Sequence, residues 1–185
     1  VSTRYAAAAL SFARIWANRE PVAHYHGHLE SPARNRPPDP VRVWVDLSPH
    51  PLSVLLKLAP DGEVLWNTLD TRFAGYEAIA KFDVRRANGA CLHAVIVTRN
   101  ALDPPLNVRH FKYNGYPFIV EGQNDESGVY RARIETPDGD HIEPDMLHAS
   151  IVEFLRGEPV ATMDESLRNL DWMLRIRDTA REAAQ

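Results

Sequence analysis

Residues 43–58 read Val-Trp-Val-Asp-Leu-Ser-Pro-His-Pro-Leu-Ser-Val-Leu-Leu-Lys-Leu, a short apolar run followed by an acid, a histidine and an amphipathic helix. If the turn after Asp46 is helical, Asp46 and His50 share one face, because positions i and i+4 are neighbours on a helix. An acid beside an imidazole can orient it, and a positioned imidazole can move a proton on a substrate. A surface ion pair or a helix cap at Asp46 gives the same spacing, and both alternatives stay open.

The composition of the whole chain is that of a globular protein. The chain has 185 residues, 44% of them hydrophobic and 25% charged, with a net charge of −4. This length predicts one domain over residues 1–185, and the acidic balance gives no indication of nucleic acid or an anionic membrane surface as partner. The single cysteine, Cys91, excludes an internal disulfide and favours a cytoplasmic location. Its strand-like neighbours predict a buried, structural thiol.

Helical patterns at both ends of the chain enclose a run of strand patterns. Helices are predicted over residues 3–18, 49–59 and 144–156, and a last one follows the capping box Thr162-Met163-Asp164-Glu165. Strand patterns cover residues 22–30, 63–69, 75–86, 90–99, 107–113, 117–122 and 128–135, with hairpin turns at Asn88-Gly89 and Asn114-Gly115. The order predicts an α+β fold, a mostly antiparallel open sheet with helices on one face.

The segment around Asp46, Leu47, Ser48 and His50 resembles the substrate-domain signature of the Gfo/Idh/MocA oxidoreductases, which act on sugars and cyclitols with NAD or NADP. It departs from that pattern in Ser48 and Pro49 and in lacking a Gly-Gly pair before the acid. The order of the remaining segments is similar to the family's C-terminal substrate and oligomerisation domain, from Arg4-Tyr5 at the start to the helix pair within residues 151–182. The resemblance implies proton-transfer roles for Asp46 and His50, and a place for Arg4 and Tyr5 in lining the cleft.

The family's nucleotide-binding half has no counterpart here. No Gly-x-Gly-x-x-Gly occurs in the chain, so no cofactor-binding residues are assigned, and NAD or NADP is implied only for the intact family enzyme. The chain begins with Val1 in mid-element, which favours a trimmed or proteolysed fragment that lacks the N-terminal Rossmann domain; a start codon read as Val is the alternative.

A second conspicuous pattern is His24-x-His26-x-His28. In a strand these three imidazoles point to one face, where two of them could ligate a transition metal. A substrate-facing polar patch containing His24 and His26, or a solvated strand face, are the alternatives, and no metal is assigned. Trp44 could stack on a sugar ring, although core packing explains it as well.

Two functions remain open on the sequence. The first is the substrate-binding half of an NAD(P)-dependent sugar or cyclitol oxidoreductase. The second is a freestanding non-redox enzyme (a lyase, epimerase or cyclase) or a binding or scaffold subunit with the same fold. Apolar residues alternate along the strands at Phe82 and Val84 and at Val95 and Val97, which predicts a homo-oligomer built through the open sheet face.

Overall fold

The computed structural model describes residue 15 and residues 21–104, 107–136 and 138–183. The strands in chain order are β1 (His24–Pro32), β2 (Glu63–Ala74), β3 (Glu77–Arg85), β4 (Cys91–Ala101), β5 (Val108–Tyr113), β6 (Tyr116–Asn124), β7 (Tyr130–Thr136) and β8 (Gly139–Pro144). The helices with both ends among the described residues are α1 (Pro40–Leu47), α2 (Pro49–Leu58), α3 (Met146–Leu155) and α4 (Met163–Glu182). None of the helices in this part of the chain is both long and apolar enough to cross a bilayer.

The strands form one open sheet in the order β2-β3-β4-β1-β5-β6-β7-β8. Strand β1 runs parallel to β4, and the other neighbouring strands of this sheet are antiparallel. The two predicted asparagine-glycine turns join β3 to β4 and β5 to β6, and Gly89 and Gly115 have φ values of 82° and 86° that favour glycine. The predicted α+β fold with a mostly antiparallel open sheet is therefore confirmed.

The two faces of the sheet differ because successive side chains of a strand point in opposite directions. On β3 and β4, Phe82, Val84, Leu92 and Ile96 lie in the main hydrophobic cluster, each at most 2% exposed. The helices supply the other side of that cluster with their own apolar side chains, among them Trp44, Leu52, Leu55, Leu56, Trp172, Met173 and Ile176. We call this side the covered face and the opposite side the open face.

Helix α1 covers the short apolar run before Asp46, for which the sequence analysis predicts no helix. The Asp39 side chain accepts a hydrogen bond from the Arg42 N–H, and Pro40 occupies the first helical turn. Both are ordinary helix-start features, since Asp is a good N-cap and proline loses no hydrogen bond in the first turn. The second helix, α2, spans nearly the predicted residues and contributes Leu52, Leu55 and Leu56 to the core.

Two local predictions are wrong, and a third falls mostly on residues that the structure does not describe. Residues 139–144 form β8, whereas the sequence indicated only a turn before a helix at Pro144; the helix begins after Asp145, which caps it. Cys91 is exposed, because it lies at the start of β4 and on the open face. The helix predicted over residues 3–18 lies outside the described residues except at Ile15, which is helical.

Candidate functional site

The junction of α1 and α2 carries Asp46 and His50 on continuous helical backbone. Ser48 between the helices has φ −64° and ψ −28°, a helical conformation. Its N–H donates to the Trp44 carbonyl at 2.9 Å, and its own carbonyl accepts from the Leu52 N–H at 3.1 Å. The turn after Asp46 is helical, as the i to i+4 argument requires, so Asp46 and His50 lie one turn apart.

Asp46 is held between two arginines at the surface. Its Oδ2 lies 3.5 Å from Arg36 Nη1 and 3.6 Å from Arg42 Nε, and its side chain is 47% exposed. Arg42 belongs to the same helical turn, whereas Arg36 comes from the loop before α1. His50 is half-buried in the first turn of α2. The acid is thus accessible to a ligand and oriented by two cationic neighbours.

Contacts with the core fix this junction from below. Trp44 is fully buried, and its indole N–H donates to the Met173 carbonyl at 2.9 Å. The Tyr25 hydroxyl donates to the Pro51 carbonyl at 2.8 Å. A sugar ring cannot reach a side chain with no exposed surface, so Trp44 is a core residue and core packing, the alternative reading, accounts for it.

Helix α4 holds the first turn of α2. The Asn169 side-chain amide donates to the Pro49 carbonyl at 2.8 Å and to Ser53 Oγ at 2.7 Å. Lys57 Nζ contacts both carboxylate oxygens of Glu165, at 2.6 and 2.8 Å. Burial opposes ionisation of Glu165, but hydrogen bonds from Lys57 and Thr162 outweigh it and lower the pKa of this carboxyl. The backbone on either side of His50 is therefore fixed by polar contacts as well as by packing.

A cleft of about 730 Å³ opens next to this junction, between the loop after β1 and the ends of β3 and β4. Arg34 and Arg36 line one side of it, and Tyr76 and Leu102 the other. The Tyr76 hydroxyl donates to the Arg36 carbonyl at 3.1 Å. This hydrogen bond connects the loop between β1 and α1 to the turn before β3. Arg36 both lines the cleft and contacts Asp46, so this arginine links the cleft to the acid.

The candidate substrate residues of β1 lie elsewhere. His24 and His26 pair in register with His93 and Val95 of β4 and belong to the open face, whereas α1 and α2 pack on the covered face. The sheet does not bring these histidines together with Asp46 and His50. Among the residues that the structure describes, no group of three or more histidine, cysteine, aspartate or glutamate side chains is arranged to hold a metal ion. Arg4 and Tyr5 lie outside the described residues.

Several neighbours of the site were not found from the sequence. Arg42 stands four residues before Asp46, so the helical pairing rule identifies it once α1 is recognised. The arginines of the β1–α1 loop and Asn169 reach the site through tertiary structure, at separations that no local pattern reports. These missed residues are Arg34, Arg36 and Asn169.

Comparison with known proteins identifies the fold. No protein-family model and no curated protein sequence matches the chain. Among solved structures, UDP-N-acetylglucosamine 3-dehydrogenase GnnA from Acidithiobacillus ferrooxidans matches 97% of this chain with 59% of its own, at a TM-score of 0.63 and 18% identity. An inositol dehydrogenase homolog complexed with NAD⁺ from Azotobacter vinelandii matches 97% of this chain with 60% of its own, at 0.56 and 10%.

A third structure, scyllo-inositol dehydrogenase from Lactobacillus casei, matches 98% of the chain with 58% of its own, at a TM-score of 0.53 and 12% identity. The chain thus has the fold of the C-terminal domain of Gfo/Idh/MocA-type oxidoreductases, which confirms the resemblance predicted from its sequence. It spans about 60% of the length of these structures.

Proposed function

We propose that this chain is the substrate-binding half of an NAD(P)-dependent sugar or cyclitol oxidoreductase, in which Asp46 and His50 handle the proton of a substrate hydroxyl. The observation that carries the proposal is the helical backbone through Ser48, which puts the acid and the imidazole one turn apart. Arg36, which contacts the acid, also lines a cleft. Solved structures of the same fold include dehydrogenases of a nucleotide sugar and of an inositol.

The residues of this chain do not fit a dinucleotide. A pyrophosphate is usually bound by a glycine-rich turn between a strand and the N-terminus of a helix. Helices α1 to α4 start instead after Asp39, Ser48, Asp145 and Thr162, and no glycine-rich turn precedes any of these four helices. We therefore propose that another domain binds the cofactor. Titration calorimetry of this chain with NAD or NADP should show no micromolar binding.

For the proton step, His50 is proposed as the general acid–base group and Asp46 as the group that orients it or the substrate. A general base acts within about 2.6–3.2 Å of the proton it takes, directly or through one water. The two guanidiniums beside Asp46 support a further role in binding, since arginine forks suit oxygen-rich ligands. Arg4 and Tyr5 remain proposed cleft residues on the resemblance alone.

Nuclear magnetic resonance of the isolated chain tests the binding half of this proposal. A panel of a nucleotide sugar, a free cyclitol and a simple hexose should include a ligand that shifts the amide signals of residues 46–53. Asp46→Asn and Arg36→Gln should weaken that binding, whereas Asp178→Asn, on an exposed surface of α4, should not. If no panel member shifts the junction, the substrate assignment fails.

Kinetics test the chemical half. In the complete enzyme, with a nucleotide-binding domain present, His50→Ala should lower kcat by about 10² to 10⁴, the usual contribution of general acid–base catalysis. The control is His148→Ala, which removes an exposed histidine of α3 and should leave kcat unchanged. Turnover without any nicotinamide would instead favour the non-redox alternative, a lyase, epimerase or cyclase. A His50→Ala protein with full turnover but several kcal/mol less stability would make the pair structural.

We also propose that two or more copies of this chain associate through the open face. Half-buried apolar side chains run across its middle, from Ile79 of β3 through Val95 and Val97 of β4 to Ile119 of β6. Strand register places four acids (Glu30, Glu77, Asp83 and Glu121) and four bases (Lys81, Arg85, Arg99 and Lys112) around them on β1 and β3–β6. Equal numbers of both signs suit a second copy of the same face. Light scattering of the chain at tens of micromolar should report a dimer or tetramer.

A further inference from the structure

Five of the eight histidines of the chain lie side by side on the open face. Strand register puts them in one row across three adjacent strands. We call this set the histidine row: His24, His26 and His28 of β1, His93 of β4 and His110 of β5.

The rings of the row are close enough to influence each other. His24 stacks on His93 with ring centroids 5.1 Å apart and planes inclined by 21°. His26 stacks on His28 at 6.2 Å, and His110 meets the edge of His28 at 6.5 Å. Neutral imidazoles stack favourably, whereas imidazolium groups at these distances repel each other.

Two members of the row have acidic partners. His28 Nε2 lies 2.9 Å from Glu30 Oε1, and His93 Nδ1 lies 2.6 Å from Asp83 Oδ1. Lys81, Arg99, Lys112 and Glu121 complete the charged groups that face the row from the neighbouring strands. Burial first, and then His28 and Lys112, lower the pKa of His26. Burial and His28 lower the pKa of His110, against an opposing effect of Glu121 and Glu30.

We propose that the histidine row makes association through the open face depend on pH, with a second copy of this chain as the partner and dissociation on acidification. The proposal rests on the assembly proposed above. At neutral pH the open face has four acids and four bases on the five central strands, so two copies meet without net repulsion. Full protonation of the row adds five positive charges to each copy. Because an interface removes solvent from both rows at once, the charged form is disfavoured more strongly in the assembly than in the free chain.

Sedimentation velocity on the isolated chain, with and without a chelator, tests the proposal. The dissociation constant should rise at least about tenfold between pH 7.5 and pH 5.5, since one pKa unit of difference between free and bound states corresponds to a factor of ten. His26→Gln with His110→Gln should still associate at pH 7.5 and should show a smaller rise of the dissociation constant at pH 5.5, because two of the five imidazoles are removed. The matched control is His141→Gln with His148→Gln, which removes two histidines that lie outside the row and should retain the wild-type response.

The outcomes separate the two proposals. A monomer at pH 7.5 without chelator refutes the assembly, and with it the effect of pH. An oligomer with the same dissociation constant at both pH values, or a double variant His26→Gln/His110→Gln that keeps the full response, refutes the role of the row alone. Dissociation by chelator at pH 7.5 overturns protonation as the cause, because it makes the imidazoles metal ligands. Circular dichroism at both pH values tests whether the chain is still folded when the oligomer dissociates.

Discussion

The covered and open faces of the sheet are built from the same strands, yet their side chains respond to different forces. On β3 the covered face presents Ala78, Ala80, Phe82 and Val84, all at most 2% exposed, while the alternate positions carry Ile79, Lys81, Asp83 and Arg85. The covered face is fixed when the chain folds, because apolar side chains of the helices pack against it. The open face keeps its charges and imidazoles near solvent, so its chemistry can still vary with conditions after folding.

The largest expected effect comes from truncating a covered residue. Ile96→Ala should lower the free energy of unfolding by about 2–5 kcal/mol, since it removes buried methyl groups and leaves a cavity. The neighbouring residue Val97 points to the open face, and Val97→Ala should cost about 1 kcal/mol or less. Urea unfolding of both variants measures the difference, and equal losses would mean that the two faces are packed alike.

A glycine on the covered side of β1 gives the next largest effect. A Cβ at Gly27 would meet Pro51 Cβ at 2.6 Å and the Tyr25 hydroxyl oxygen at 2.8 Å, where α2 rests on the strand. Gly27→Ala should therefore destabilise the fold by about 1–3 kcal/mol through overpacking. His26→Ala, one residue away on the open face, should stay within about 0.5 kcal/mol. Thermal unfolding of the pair provides the comparison, and a stable Gly27→Ala protein would show that α2 can move away from β1.

Ser48 is a polar exception in the covered region. Its side chain is fully buried, and its Oγ has no hydrogen-bond partner among the described residues. Burying an unsatisfied hydroxyl is unfavourable, so Ser48→Ala should leave stability unchanged or raise it by up to about 1 kcal/mol. The control Ser53→Ala removes a hydroxyl that is bonded to Pro49 and Asn169 and should destabilise. Calorimetric melting measures the stability of both variants. A Ser48→Ala protein that is less stable than Ser53→Ala would contradict the prediction.

The smallest effect concerns the pH dependence of folding itself. His26 and His110 have lowered pKa values, so the unfolded chain, with imidazoles near pKa 6.5, binds protons more readily than the folded one. Stability is therefore full above about pH 6.5 and is partly lost below it. Both side chains keep solvent contact, so the loss should be small. Urea midpoints at pH 7.5 and 5.5, under conditions where the chain is monomeric, should differ less in His26→Gln/His110→Gln than in wild type.

The sequence predicted the parts of the fold that local chemistry determines. Glycine turns set the hairpins β3–β4 and β5–β6, and the capping box at Thr162 starts α4 as expected, with both of its hydrogen bonds present. Strand β8 was missed because Gly139-Asp140-His141-Ile142-Glu143-Pro144 has one large apolar residue and three turn formers. Its strand conformation comes from pairing with β7, which is a tertiary effect.

The candidate site was predictable only in its acid and imidazole. The i to i+4 spacing of Asp46 and His50 is visible in sequence, and the helical backbone at Ser48 agrees with it. Helix α1 was hidden because its apolar residues, Val41, Val43, Trp44 and Val45, suggest a strand by composition. The face that each strand histidine occupies depends on which side the helices cover, and that choice is made by packing across the whole sheet.

The central position of β1 also has a consequence for the order in which the molecule folds. Strands β2–β4 form one antiparallel meander and β5–β8 another, each closed by short local connections. Within the sheet the two meanders meet at β1, which pairs with β4 across about 70 positions of chain and with β5 across more. Closing such long loops has a high entropic cost and slows folding. The two halves of the sheet can therefore form early and separately, and the arrival of β1 is the event that makes them one structure.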